Sequence, residues 1–118
     1  MTDSEFMTLA DDTLYAISTA LEQACDDTDL DVECSRSGNV LNIEFLNNGS
    51  KIIVNSQAPL QEMWIAAKSG GFHYKRVAGR WLNTRDGTEL FAALSSMVSA
   101  QAGMTLVLKE GRPSPGQH

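Results

Sequence analysis

Apolar and polar residues alternate along this chain in two periods, and the switch between them outlines a fold. Phe6, Leu9, Ala10, Thr13, Ile17, Ala20, Leu21 and Ala24 recur three or four residues apart, which predicts an amphipathic helix ending near Cys25. Thr2 followed by Glu5 three residues later has the spacing of a capping box, so the helix starts at once. From Leu30 the period drops to two: Leu30, Val32 and Cys34 alternate with Asp31, Glu33 and Ser35, as in a half-buried strand. A turn over Arg36 to Asn39 then places Cys34 opposite Leu41, Val32 opposite Ile43 and Leu30 opposite Phe45. The Asn48-Gly49 pair predicts a second hairpin, with Phe45 opposite Ile52 and Ile43 opposite Val54. Both turns bury the same side. They also set Asp31 opposite Glu44 on the outer side, a like-charge pair that costs a few tenths to about 1 kcal/mol.

Residues 59 to 83 read as three more short strands, broken at Ser69-Gly70-Gly71 and at Ala78-Gly79. In the first, Met63, Ile65 and Ala67 share one side, and Glu62, Trp64 and Ala66 the other. With Glu62 facing water, Trp64 faces it too. A second helix follows, with Asp86 and Glu89 at its start, Leu90, Phe91, Leu94, Met97 and Val98 buried, and Gly103 as its C-cap. Residues 104 to 109 run back extended against the helices. The Pro- and Gly-rich residues 110 to 118 read as a disordered tail. The order of elements predicts an α+β two-layer sandwich: two terminal helices on one face of an antiparallel sheet of about six strands. Residues 1 to 109 form the single domain.

Charge changes this picture. Residues 1 to 33 carry ten acids and no Lys or Arg, whereas residues 34 to 118 carry five acids and nine bases. Such an acidic pole opposes nucleic acid and suits metal cations or a basic protein surface. No apolar run is long enough to span a membrane, and the acidic N-terminus is unlike a signal or transit peptide. Cys25 and Cys34 lack C-x-x-C spacing and read as reduced thiols. The expected location is the cytoplasm.

Candidate chemistry centres on the acids of residues 22 to 33. Asp27, Asp29 and Asp31 fit the first ligand positions of an EF-hand, but Val32 stands where that loop needs Gly and Gly38 where it needs Glu. In an extended segment Asp29, Asp31 and Glu33 project to one side about 6.8 Å apart, too wide for one tight cage. That spacing suits several weak, hydrated sites for hard cations, and the competing reading is an ordinary solvated face. Nucleophilic catalysis has little support, since His73 and His118 are the only histidines. His73 is a candidate metal or haem ligand against the commoner ordinary strand histidine. The basic run at residues 73 to 80 is a candidate nucleic-acid contact that the acidic pole opposes. Trp64 on an outer face is a candidate interface anchor.

Residues 47 to 74, "NNGSKIIVNSQAPLQEMWIAAKSGGFHY", together with "DSEFMTLAD" and "DDTDLDVE", resemble the bacterial frataxin family. The resemblance spans Met1 to about Lys109. It implies two helices on an antiparallel sheet and a role in iron–sulfur cluster assembly. It further implies weak binding of Fe²⁺ and Fe³⁺ along an acidic ridge, here Asp3, Asp11, Glu22, Asp26, Asp27, Asp29, Asp31 and Glu33. The implied partner is the cysteine desulfurase, docked through Asp26, Asp27, Asp29, Asp31 and Trp64. The implied state is a monomer, with metal-driven oligomers as a further state, and no catalytic turnover of its own. The alternative is ferroxidase-like iron oxidation on the ridge, or haem binding through His73.

Overall fold

The computed structural model describes residues 1–110, so the expected tail lies outside the described residues except for Glu110. Helix α1 spans Asp3–Asp27. Its capping box is complete: Thr2 N donates to Glu5 Oε1 at 2.7 Å, and Glu5 N donates to Thr2 Oγ1 at 3.1 Å. The Thr2 amide, and then its hydroxyl, hold the Glu5 carboxyl below the usual carboxylate range. The helix runs two residues past Cys25, until the Thr28 N–H and hydroxyl both close on the Ala24 carbonyl. Asp26 and Asp27 therefore occupy its last turn. Carboxylates there meet the negative end of the helix dipole, at a cost of about 0.3–1 kcal/mol each.

Six strands follow: β1 Val32–Ser37, β2 Val40–Phe45, β3 Lys51–Gln57, β4 Glu62–Ala67, β5 Gly70–Val77 and β6 Arg80–Asn83. They form one antiparallel sheet in chain order, β1-β2-β3-β4-β5-β6. Both expected hairpin registers are corrected by two residues. The first turn uses only Gly38 and Asn39, with Gly38 at φ +58°, so Val32 faces Phe45, Cys34 faces Ile43 and Glu33 faces Glu44. The second uses four residues, Leu46 to Gly49, closed by Gly49 N donating to Phe45 O at 2.7 Å and Phe45 N donating to Ser50 O at 2.8 Å. Ile43 then faces Ile52, and Leu41 faces Val54. Because each slip is even, the inward-facing set is unchanged. Asp31 is not opposite Glu44. Glu33 is, and Lys51 stands on the other side of Glu44. The break before β5 is Lys68-Ser69, and Gly70 and Gly71 already pair with Ala67 and Ala66.

Helix α2 spans Leu90–Ala102, capped by Glu89, whose carboxylate accepts from Phe91 N and Ala92 N, and ended by Gly103 at φ +71°. Asp86 sits before the helix and accepts from Thr88 N in a turn. Both helices lie on one sheet face. Phe6, Leu14, Ile17 and Leu21 of α1 and Leu90, Leu94 and Val98 of α2 are fully buried with Leu41, Ile43, Ile52, Val54, Met63, Ile65 and Tyr74 of the sheet. Each such side chain contributes roughly 1.5–3 kcal/mol. Trp81 joins them edge-on to Phe6 at 5.9 Å, its Nε1 donating to Thr13 Oγ1 at 2.8 Å. After α2 the chain returns extended, burying Leu106 and Leu108. The hydroxyls of Ser95 and Ser99 accept from the amides of Leu108 and Leu106, standing in for a strand partner. No helix of the described residues is long and apolar enough to cross a membrane.

Candidate cation and partner surface

The acids of α1 are placed by helical spacing. Asp11, Glu22 and Asp26 fall on one flank, and that flank lies over β1: Arg36 reaches Asp11 from one end of the strand, and the Cys25 thiol lies 3.9 Å from the Val32 carbonyl at the other. Asp27 follows on the same last turn, where its carboxylate accepts from Gln23 Nε2 at 3.1 Å. Asp29 and Asp31 lie in the connection to β1, and Glu33 is on β1 itself. Asp3 stands at the opposite end of α1, about 36 Å from Asp27 at about 1.5 Å per residue. All eight side chains are exposed. They form a line rather than a cage, and among the described residues no three His, Cys, Asp or Glu side chains converge on one metal position.

Within the line the acids differ. Arg36 Nη2 donates to Asp11 Oδ1 at 2.6 Å while its Nε is held by the Gly38 carbonyl, so Asp11 already has a fixed cation. Among the described residues no other acid of the line has such an ion pair. Asp29 and Asp31 border a pocket of 270 Å³, lined also by Asn47, Asn48, the end of α2 at Gln101 and Ala102, and Gly103 and Met104 beyond it. Asn48 Nδ2 donates to the Gln101 carbonyl there, tying the β2–β3 turn to α2. Cys34, half-buried beside this surface, has its thiol pushed up to about 11 by burial, with Cys25 and Glu22 adding to the shift.

On the outer sheet face Trp64 is half-buried rather than freely exposed. Its ring stacks on His73 at 4.3 Å and 8° between planes, across the β4–β5 pair that sets the two opposite. Trp64 Nε1 donates to Glu62 Oε1 at 2.8 Å. Glu62, expected in water, is buried by these neighbours: His73 Nδ1 lies 3.5 Å away and Lys75 Nζ 3.7 Å. One ring face of His73 is thus covered and one nitrogen is turned to a carboxylate. That surrounding is a packed strand histidine, and it gives a haem no support.

A frataxin-like domain model matches residues 1–104. The chain belongs to the frataxin family. It is 64% identical over 110 residues to the iron–sulfur cluster assembly protein CyaY of Janthinobacterium sp. strain Marseille, covering 93% of this chain and 98% of that one. It is 54% identical over 109 residues to the CyaY of Cupriavidus metallidurans, covering 92% and 97%. The frataxin of Psychromonas ingrahamii superposes with a TM-score of 0.77 at 35% identity, over 93% of this chain and all of that one. A trimeric yeast frataxin complexed with ferrous iron superposes at 0.68 with 27% identity, over 80% and 85%.

For this frataxin, the sequence placed the acids on α1 and β1 without their spatial order. It did not reveal the Arg36–Asp11 pair, which joins residues 25 positions apart. The Glu62–Trp64–His73–Lys75 group was also missed. Its signal was present, because Trp64 on the outer face implies that a β5 partner opposite it faces outward too.

Proposed function

We propose that this frataxin is an iron-binding regulator of iron–sulfur cluster assembly, which docks on the cysteine desulfurase through the acidic line along α1 and β1 and turns over no substrate itself. One observation carries the reading. Eight carboxylates are held exposed along α1, its connection and β1, two of them at the unfavourable end of a helix and one opposite Glu44, and among the described residues only Asp11 of the eight has a cation of its own. Surface acids serving only solubility gain nothing from that crowding. A cation that arrives from outside relieves it. The yeast relative with ferrous iron and the CyaY relatives named for cluster assembly support the same assignment.

Carboxylate oxygens are hard donors and suit Fe²⁺ and Fe³⁺. Without three converging donors, each ion keeps most of its water and several bind weakly. The same field steers the chain to a basic groove. Trp64, held flat on His73, supplies the anchor on the outer sheet face. Fe²⁺ titration followed by amide spectra tests the metal half. Broadening centred on residues 20 to 34 and Glu44 is the expected result, and broadening centred on His73 with the acidic line unaffected contradicts it.

A further inference from the structure

The proposed function makes no use of Asn48-Gly49 in the β2–β3 turn, a pair with chemistry of its own. An asparagine carboxamide followed by glycine is open to attack by the next backbone nitrogen, because glycine has no Cβ to block the approach. Asn48 is exposed, so water reaches it. Yet every group the reaction needs is engaged. Gly49 N donates to Phe45 O at 2.7 Å. Asn48 Oδ1 accepts from Ser50 N at 2.9 Å, and Asn48 Nδ2 donates to the Gln101 carbonyl at 2.8 Å. An N–H at one end and a carbonyl at the other fix which end of the carboxamide is oxygen. Two of these bonds lie within the turn, and the third ties it to α2. The α2 side of that tie is firm. The buried Gln101 side chain donates to Ser50 Oγ at 3.0 Å and to Lys51 O at 3.3 Å, and accepts from Lys68 N at 3.0 Å.

We propose that Asn48 is a deamidation site, whose conversion to aspartate or isoaspartate frees the β2–β3 turn from α2, and that the tie to Gln101 holds the folded chain back from it. When the turn opens, Gly49 N gives up its proton and attacks Asn48 Cγ. A nitrogen–carbon bond closes a succinimide ring, the Cγ–Nδ2 bond breaks, and ammonia leaves with the proton. Water then adds to either ring carbonyl and reopens the ring as aspartate or isoaspartate. The product has lost the donor that met the Gln101 carbonyl. In its place stands a carboxylate, at the negative end of α2 and on the pocket that Asp29 and Asp31 already border. Repulsion from both keeps the turn from docking again. Isoaspartate also lengthens the main chain of the turn that joins β2 to β3. The change runs one way.

The test incubates the full chain at neutral pH, folded and in urea, and follows charge by ion exchange with peptide mapping of the modified position. In the unfolded chain, a form with one extra negative charge should accumulate at Asn48 ahead of every other asparagine. The folded chain should form it about tenfold or more slowly, because a local opening must come first. Gln101→Ala, which removes the holds on Ser50, Lys51 and Lys68, should bring the folded rate back towards the unfolded one. Asn48→Asp makes the aspartate product directly, and amide exchange at residues 46 to 50 and 101 to 104 should be faster in it than in the parent. Equal rates in the folded and unfolded chains, or a Gln101→Ala rate equal to that of the folded parent, overturn the gating. A charge gain mapped to another asparagine, or none in the unfolded chain, overturns the site. Exchange in Asn48→Asp that matches the parent overturns the release of the turn.

Discussion

Single residues here act through their neighbours. Trp64 is at once a ring stacked on His73 and the donor that satisfies the buried Glu62 carboxylate. Trp64→Ala removes both, and leaves Glu62 to Lys75 and His73 alone. Thermal melts should show a loss of about 1–3 kcal/mol. On the proposed reading, the same variant dissociates faster from the desulfurase with little change in the salt dependence of association, since a buried aromatic governs residence time. Cys34 gives a second prediction. Its thiol, ordinarily near 9.0, is raised to about 11 in the fold, chiefly by burial. The folded state therefore holds a proton that the unfolded state releases above pH 9, and stability present below that pH falls as pH rises through the window to about 11. After discounting for partial exposure the loss is on the order of 1 kcal/mol. Denaturant melts across that range should show it, and Cys34→Ala should flatten it.

At the scale of elements, strain is placed where the sheet and α1 meet. Glu33 faces Glu44 across β1 and β2, and Asp26 and Asp27 oppose the dipole of α1. Glu33→Lys should be neutral or raise stability by up to about 1 kcal/mol. Asp26→Lys should raise it by a few tenths to about 1 kcal/mol, and millimolar divalent cations should raise the melting temperature of the parent more than that of either variant. The elements themselves were legible, because period-two and helical spacing survive any detail of the turns. The registers were not. Asn48-Gly49 reads as a two-residue turn, yet the chain spends four residues there, since Asn48 is drawn to the end of α2 at Gln101. A local pattern carries no information about that distant carbonyl. The even slip preserved the buried set while moving the like-charge pair from Asp31 to Glu33. The start of α2 shows the same limit: Asp86 and Glu89 both have capping chemistry, and only the geometry selects Glu89.

Across the whole molecule, charge follows sheet order. Asp26, Asp27, Asp29, Asp31 and Glu33 lie at the end of α1 and on or beside the edge strand β1, while Lys75, Arg76 and Arg80 lie on β5 and β6 at the other edge. That separation was readable from composition by halves, because the meander keeps neighbours in sequence as neighbours in space. What composition hides is which acids are free: Asp11 is answered by Arg36, and the rest of the line faces solvent without an ion pair among the described residues. On the proposed reading this polarity speeds encounter with a basic groove and makes the association rate fall steeply with added salt. The most direct test is the affinity for the cysteine desulfurase of the chain with Asp26, Asp27, Asp29 and Asp31 all changed to Lys, at physiological salt, with and without Fe²⁺. The account predicts that binding is abolished in both conditions while the variant melts no lower than the parent and the outer-face Trp64 environment stays native. Affinity equal to that of the parent would contradict it, and the ridge would then be a solvated surface only.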